Sequence, residues 1–428
     1  MLRIASRGRK IGWILITNLL LLALGLAALE AFFHIFHVLR IQWIEGDPNI
    51  GFNIPANYAA DFADPEYPEC HFIYKSNNRG FREDKNTEIT SNDSIRIVVF
   101  GDSHTDGACW NRESYPHRLE YYLNLSHPGY SAEVINAGTG KYSPFQYLRA
   151  YQYRVKPLHP DIVILGFYVG NDFFDMFRRD DRPSLEIKAD GRIAELPPEF
   201  FFYTKPGFTS SPLAKSYVYY ILFGSRFWKE ISYTISRSVI FYRNARKMNN
   251  VSTSDLLKYF RDLYRLVRIH RHAATQSLSQ FVFFHYFPDK LGESMRLVEY
   301  TLARFRDEQA WQQPFRLILA PIPSRFQVEG HRLTALRREL EKRFSYIIST
   351  QPQMMENAMY DSLIRMAARL KIELLDLRPV LSENAKEKKL YFDGDFHIDP
   401  TAHDIIGRKI SAYLDSTGLG NGTGIKTP

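Results

Sequence analysis

The chain has 428 residues, 45% hydrophobic and 24% charged, and its 55 Lys and Arg against 47 Asp and Glu leave a formal net charge of +8. That balance excludes a disordered or fibrous chain and is long enough for two or three domains around a sizeable core. The positive charge suits an anionic partner. No zinc-knuckle, RNP or helix-turn-helix pattern accompanies it, so nucleic acid is not expected.

In chain order, Arg3, Arg7, Arg9 and Lys10 precede an apolar run over 11–36, interrupted by Thr17, Asn18, Glu30 and His34. About 20 apolar residues cross a bilayer, and the basic flank belongs on the cytoplasmic side. Residues 1–40 therefore read as a cytoplasmic tip and a single-pass inner-membrane signal-anchor, with the remainder periplasmic or extracellular. A cleaved signal peptide is the competing reading, but the run is longer than a usual h-region and no A-x-A site follows it. Residues 41–71, rich in Pro, Asn, Asp and aromatics without a period, read as a linker packed on the domain surface. Residues 71–82 then offer a short strand followed by a turn, with the pattern N-x-x-G-F-R at Asn77 to Arg82, expected to give structural support.

Ile95, Ile97, Val98, Val99 and Phe100 make a β-branched apolar run, the mark of a strand buried on both faces. It ends at Gly101-Asp102-Ser103-His104-Thr105. A helical pattern over 114–125 follows, then a short strand ending in Asn136-Ala137-Gly138. A second helix over 144–153 precedes a buried strand ending in Gly170-Asn171-Asp172. Strands alternating with helices imply a doubly wound parallel sheet, an α/β/α sandwich. Residues 72–180 form its first part.

The pattern breaks over 181–312, which reads as a helical insert. Within it, 213–247 is basic, aromatic and helical. It is either a lid packed on the core or a surface helix touching anionic lipid or a membrane partner. Helical segments at 256–272 and 294–311 follow. The fold resumes over 313–416: a strand at 315–320 ending in Pro321 to Arg325, a helix at 357–370, a last strand at 372–376 and a closing helix at 403–414. Residues 417–428 read as a disordered tail.

Four blocks, Gly101 to Thr105, Asn136 to Gly138, Gly170 to Asp172 and Asp393 to Pro400, occur in order, the first three at strand ends and the last just before a helical pattern. Together they resemble the SGNH (GDSL) hydrolases, of the membrane-anchored bacterial type with a long insert. The resemblance implies a serine esterase whose nucleophile is Ser103 and whose base is His397, since a serine hydroxyl needs a group to take its proton. His403, inside the closing helical pattern, reads as a packing or supporting histidine. The acid that orients the base is expected at Asp395, with Asp393 as the fallback because Gly394 stands at the third position back. The oxyanion donors implied are the Ser103 N–H, the Asn171 side chain and a second-block N–H. Lys141 aligns with the family's glycine there, and its N–H can serve only if φ is negative, so Gly140 is favoured. Asp102 and Asp172 read as turn-capping residues and Thr105 as a helix cap.

No cofactor and no metal site are expected: His34, His37, His117 and His127 lack ligand spacing. Cys70 and Cys109 are either a disulfide, which an extracytoplasmic location permits, or two buried thiols. The implied substrate is an acylated envelope or surface glycan, carrying O-acetyl esters. Acyl transfer to a sugar hydroxyl, beside a multi-spanning membrane acyl carrier, and a catalytically silent glycan-binding or assembly protein are the alternatives.

Overall fold

The computed structural model describes residues 2–36, 44–64, 67–89, 94–127, 131–177, 182–198, 213, 216–221, 253–269, 275–310, 314–344, 351–393 and 396–419. Five parallel strands form the central sheet: β1 (Ile95–Gly101), β2 (Ala132–Asn136), β3 (Ile162–Gly166), β4 (Arg316–Leu319) and β5 (Glu373–Leu374). Their order is β5-β4-β3-β1-β2. All residues of β1, β3 and β4 are buried, as their continuous apolar runs require of strands covered on both faces.

Helices cover the two faces. On one, helices Tyr115–Ser126 and Pro400–Thr417 pack Leu119, Leu123, Ile406 and Ile410 against Ile97, Val99 and Ile164. On the other, Leu148, Leu302 and Met359 meet Val98, Phe100 and Val163. The helix Asp289–Ala310, which the sequence reading put within the insert, belongs to this second layer, with Phe305 6.2 Å from Phe100. It serves as the last helix of the crossover from β3 to β4.

The strand order reverses direction of winding at β1 and β3, so the crevice beyond their carboxyl ends is the switch point where such sheets bind ligands. Register brings Gly101 opposite Gly166 at that edge. Neither position tolerates a side chain. A Cβ on Gly101 falls 1.8 Å from Thr105 Oγ1, and one on Gly166 falls 2.2 Å from the Tyr115 hydroxyl.

The segment read as a linker is more ordered than its composition suggests. Glu45–Asp47 pairs with Gly51–Asn53, and Ala59–Asp64 pairs with Tyr67–Lys75, with Phe62 stacked on Phe72 at 5.3 Å. The N-terminal helix Leu2–Phe36 contains a 24-residue stretch, Gly12–Ile35, of mean hydropathy 2.2, long and apolar enough to cross a membrane. Glu30 within it accepts hydrogen bonds from Ser216 Oγ at 3.0 Å and from the N–H groups of Tyr217 and Val218 at 2.9 and 2.8 Å. The start of the basic segment thus docks on the end of this helix. Residues 222–250, the bulk of that segment, lie outside the described residues, as do 420–428 of the tail.

Candidate active site

Ser103 opens a four-residue helix, Ser103–Asp106, directly after β1. Asp102 caps that helix, its side chain accepting the His104 N–H at 2.8 Å. Thr105 does not act as a cap. The following helix is capped at Ser114, while the Thr105 hydroxyl fills the space left by the paired glycines and bonds Tyr115 Oη at 2.8 Å. A buried hydroxyl finds a polar partner there rather than a helix end. Asn136 Nδ2 donates to Thr105 O at 3.1 Å, which ties the second block to the nucleophile turn.

His397 Nε2 lies 2.7 Å from Ser103 Oγ, across 294 residues of sequence. That is the distance at which a serine hydroxyl can pass its proton to an imidazole. Two other histidines stand close, and neither suits the role. The His104 ring is stacked 3.5 Å from Tyr168 and 4.7 Å from His397. Burial, with the charge of His397 and His403, pushes its imidazole well below the ordinary range. His403 is fully buried, accepts the Tyr115 N–H at 3.1 Å through Nδ1, and is pushed down to about 3 by burial, Arg82 and His397. Bases that weak do not take up a proton near neutrality. His403 is a packing histidine.

The loop bearing His397 is tight. Phe392 N–H donates to His397 O at 3.0 Å, and Phe396 N–H to Phe392 O at 3.1 Å. Phe396 takes φ +52°, a left-handed conformation unusual for an aromatic residue and held only where the surroundings over-determine it. What holds it is Arg325, buried to 4% exposure, which lies over the Phe396 ring at 4.8 Å. Arg325 donates to Phe392 O at 3.1 Å, Asp393 O at 3.0 Å, Asp393 Oδ1 at 2.7 Å and Glu329 Oε2 at 2.9 Å. Asp393 is therefore committed to Arg325 and to Lys389 Nζ at 2.9 Å, and its side chain is 71% exposed. Asp395 lies outside the described residues.

Of the three oxyanion donors, the Ser103 N–H belongs to the first turn of its helix, where no intrahelical acceptor exists. Gly140 stands beside the serine: a Cβ built on it would be 3.7 Å from Ser103 Cβ. Its N–H donates to Asp106 Oδ2 at 3.2 Å. Lys141 has φ +73°, so the negative φ under which its own N–H would serve is not met. The left-handed position that favours glycine is occupied here by lysine, with Arg182 donating to the Lys141 carbonyl. Asn171 reaches the same corner but its amide points inward: Nδ2 lies 3.1 Å from Asp102 Oδ2 and 3.2 Å from Asp175 Oδ2, and Oδ1 is buried without a partner.

Burial pushes Asp102 up to about 6, against the lowering effect of the His104 N–H, the His397 charge and the Asn171 amide. Asp172 is fully buried, bonded by Tyr147 Oη and the Tyr168 N–H, and pushed well up by burial and by Asp102 and Asp175. Both act as turn-capping groups. Cys109 is a buried free thiol, its pKa pushed up to about 12 by burial. The side chain of Cys70 lies outside the described residues.

Sequence reading missed Arg82, Asp106 and Arg325 as parts of this site. Each acts on a loop rather than on the reacting atoms, and only the N-x-x-G-F-R pattern hinted at Arg82.

No family model matches the chain, and no curated protein matches it. Among solved structures, the chain is similar to the acetylxylan esterase Axe2 from Geobacillus stearothermophilus, at 12% identity and TM-score 0.37, over 77% of this chain and 96% of that one. It is also similar to LAE5, an alpha/beta hydrolase from the Lake Arreo metagenome, at 13% identity and TM-score 0.36, over 78% and 99%. A two-domain esterase active on acetylated mannans gives 11% identity and TM-score 0.35, over 78% of this chain and 52% of that one.

Proposed function

We propose that this chain is a membrane-anchored, extracytoplasmic serine esterase of the SGNH type that removes O-acetyl groups from a cell-envelope or surface glycan. The observation that carries the reading is the 2.7 Å contact between Ser103 Oγ and His397 Nε2 at the switch point of the sheet. The anchor is the helix spanning Gly12–Ile35. In the first step Ser103 Oγ attacks the ester carbonyl while His397 Nε2 takes its proton, and the imidazolium then protonates the departing sugar oxygen. Water, activated by the same histidine, releases acetate from the acyl-serine. The Ser103 N–H faces the developing oxyanion, and the Gly140 N–H joins it on leaving Asp106 Oδ2. Asn171 joins them when its amide turns away from Asp102 and Asp175. Asp395 orients the base.

The test is hydrolysis of a small chromogenic acetate by the detergent-solubilised protein, with a fluorophosphonate label mapped to Ser103. Absence of both in native protein leaves only the glycan-binding or assembly reading. Acetyl appearing on an added acceptor sugar rather than as free acetate replaces hydrolysis by acyl transfer.

A further inference from the structure

Arg82 is 1% exposed and every edge of its guanidinium is used. Nε donates to Asn111 Oδ1 at 3.0 Å, Nη1 to the Gly107 carbonyl and Nη2 to the Cys109 carbonyl. The plane lies 4.5 Å from the Tyr74 ring centroid and 5.2 Å from that of Phe72. The backbone on either side of Arg82 is sewn to the second block: Arg82 N–H donates to Asn136 O at 3.2 Å, and Asn136 N–H to Glu83 Oε1 at 2.8 Å. A buried guanidinium needs an anion. The one beside it is Asp106, with Oδ1 at 3.4 Å from Nη1. The other oxygen of Asp106 accepts the Gly140 N–H next to the serine.

We propose that Asp106, backed by Arg82, is a positioning residue that aims the Gly140 N–H into the oxyanion site and yields it to the oxyanion as the tetrahedral intermediate forms. This deepens the esterase reading and rests on it. In the resting site the carboxylate is the acceptor that turns the Gly140 peptide toward Ser103. Asp106 Oδ1 lies 3.4 Å from Arg82 Nη1, so the guanidinium charge is close at hand. When the oxyanion forms the N–H passes to it, and Arg82 offsets the repulsion between the two negative groups. No bond to substrate is made by Asp106. Its effect is to hold the Gly140 peptide beside Ser103 before the oxyanion forms, so it is read in kcat and not in substrate binding.

The experiment compares native protein, Asp106→Ala and Asp106→Asn, in the full chain, with p-nitrophenyl acetate. Asp106→Ala should lower kcat about 10- to 100-fold with KM within about twofold, because the Gly140 peptide is no longer held in place beside Ser103 while substrate binding is untouched. Asp106→Asn should recover to within about threefold of native, because its amide oxygen accepts the same N–H. Alanine at or above the native rate overturns the proposal. So does asparagine as slow as alanine, which would make the charge on Arg82, and not the Gly140 N–H, the point of Asp106. Hydrogen exchange of the Gly140 amide separates this from failure of the esterase reading. Protection should drop in Asp106→Ala and persist in Asp106→Asn even if native protein hydrolyses nothing. In that case the contact is real and its catalytic purpose is refuted. Equal protection in all three refutes the contact itself.

Discussion

The two loops that meet at the 2.7 Å Ser103–His397 contact are held in different ways. The serine turn is built onto the sheet: it leaves the end of β1, beside the paired Gly101 and Gly166, and Thr105 locks over them. Arg82 braces the far side of that turn through backbone carbonyls. The histidine loop has no strand beneath it. A single bridge, Tyr391 to Ile398, closes it, and Arg325 holds its carbonyls, its Asp393 and the strained Phe396. One half of the site is seated on the sheet, and the other is a short self-bonded loop braced chiefly by Arg325. The second half should therefore be much the easier to break.

Arg325→Ala sharpens that contrast most. It removes the forked contacts to Phe392 and Asp393 and leaves Glu329 buried without its cation. A displacement of His397 by about 1 Å is enough to cost on the order of 100-fold in kcat, while Ser103 should keep its place. Arg325→Lys should recover little, since an ammonium cannot fork to several acceptors at once. Steady-state kinetics on a chromogenic acetate read this out, and a kcat within about threefold of native would show that the loop holds itself.

Within the same loop, Asp395→Asn should slow turnover more than Asp393→Asn. Asp393 already serves Arg325 and Lys389, whose charges hold its carboxyl below the ordinary range. The reverse ranking of kcat values would place the orienting acid at Asp393.

At Asp102 and Lys141 the expected effects fall on stability. The Asp102 carboxyl stands at about 6 in the folded state and near the ordinary 3.8 when unfolded. The folded protein therefore keeps a proton between those values that the unfolded chain gives up. This contribution to stability is largest below about pH 4, falls as pH rises to about 6, and is then constant, at roughly 3 kcal/mol below its acid value. Asp102→Asn removes that titration. The stability difference between variant and native should shift by about that amount in favour of the variant between pH 4 and 7, measured by denaturant unfolding. A pH-independent difference contradicts the placement of Asp102. The smallest effect is at Lys141. A left-handed lysine costs about 1 kcal/mol, and Lys141→Gly should stabilise by at most about 0.5 kcal/mol after the added freedom of the unfolded chain is counted. Loss of stability instead would mean that the lysine side chain outweighs the backbone strain.

What the sequence made legible follows the same division. β1 and β3 are continuous apolar runs ending in turn residues, so the sheet could be placed from local pattern. Ser103, Asn171 and His397 were singled out through the resemblance of the four blocks to the SGNH hydrolases. The braces were not legible, because their partners are remote in sequence: Arg82 acts on Gly107 and Cys109, and Arg325 on residues 67 and 68 positions away. The pairing of 59–64 with 67–75 was not legible, because the segment before 71 shows no clear period, and the helix read at 294–311 was placed in the insert because it follows a segment with no sheet pattern.

The central claim is that Ser103 and His397 share one step. A double-mutant cycle on hydrolysis of a chromogenic acetate tests it most directly, using Ser103→Ala, His397→Ala and the pair. Each single change should lower kcat by about 1,000-fold or more, and the double mutant should be scarcely slower than either, because the two residues act as a unit. Losses that multiply in the double mutant would mean that the serine and the histidine, though 2.7 Å apart, do not work together.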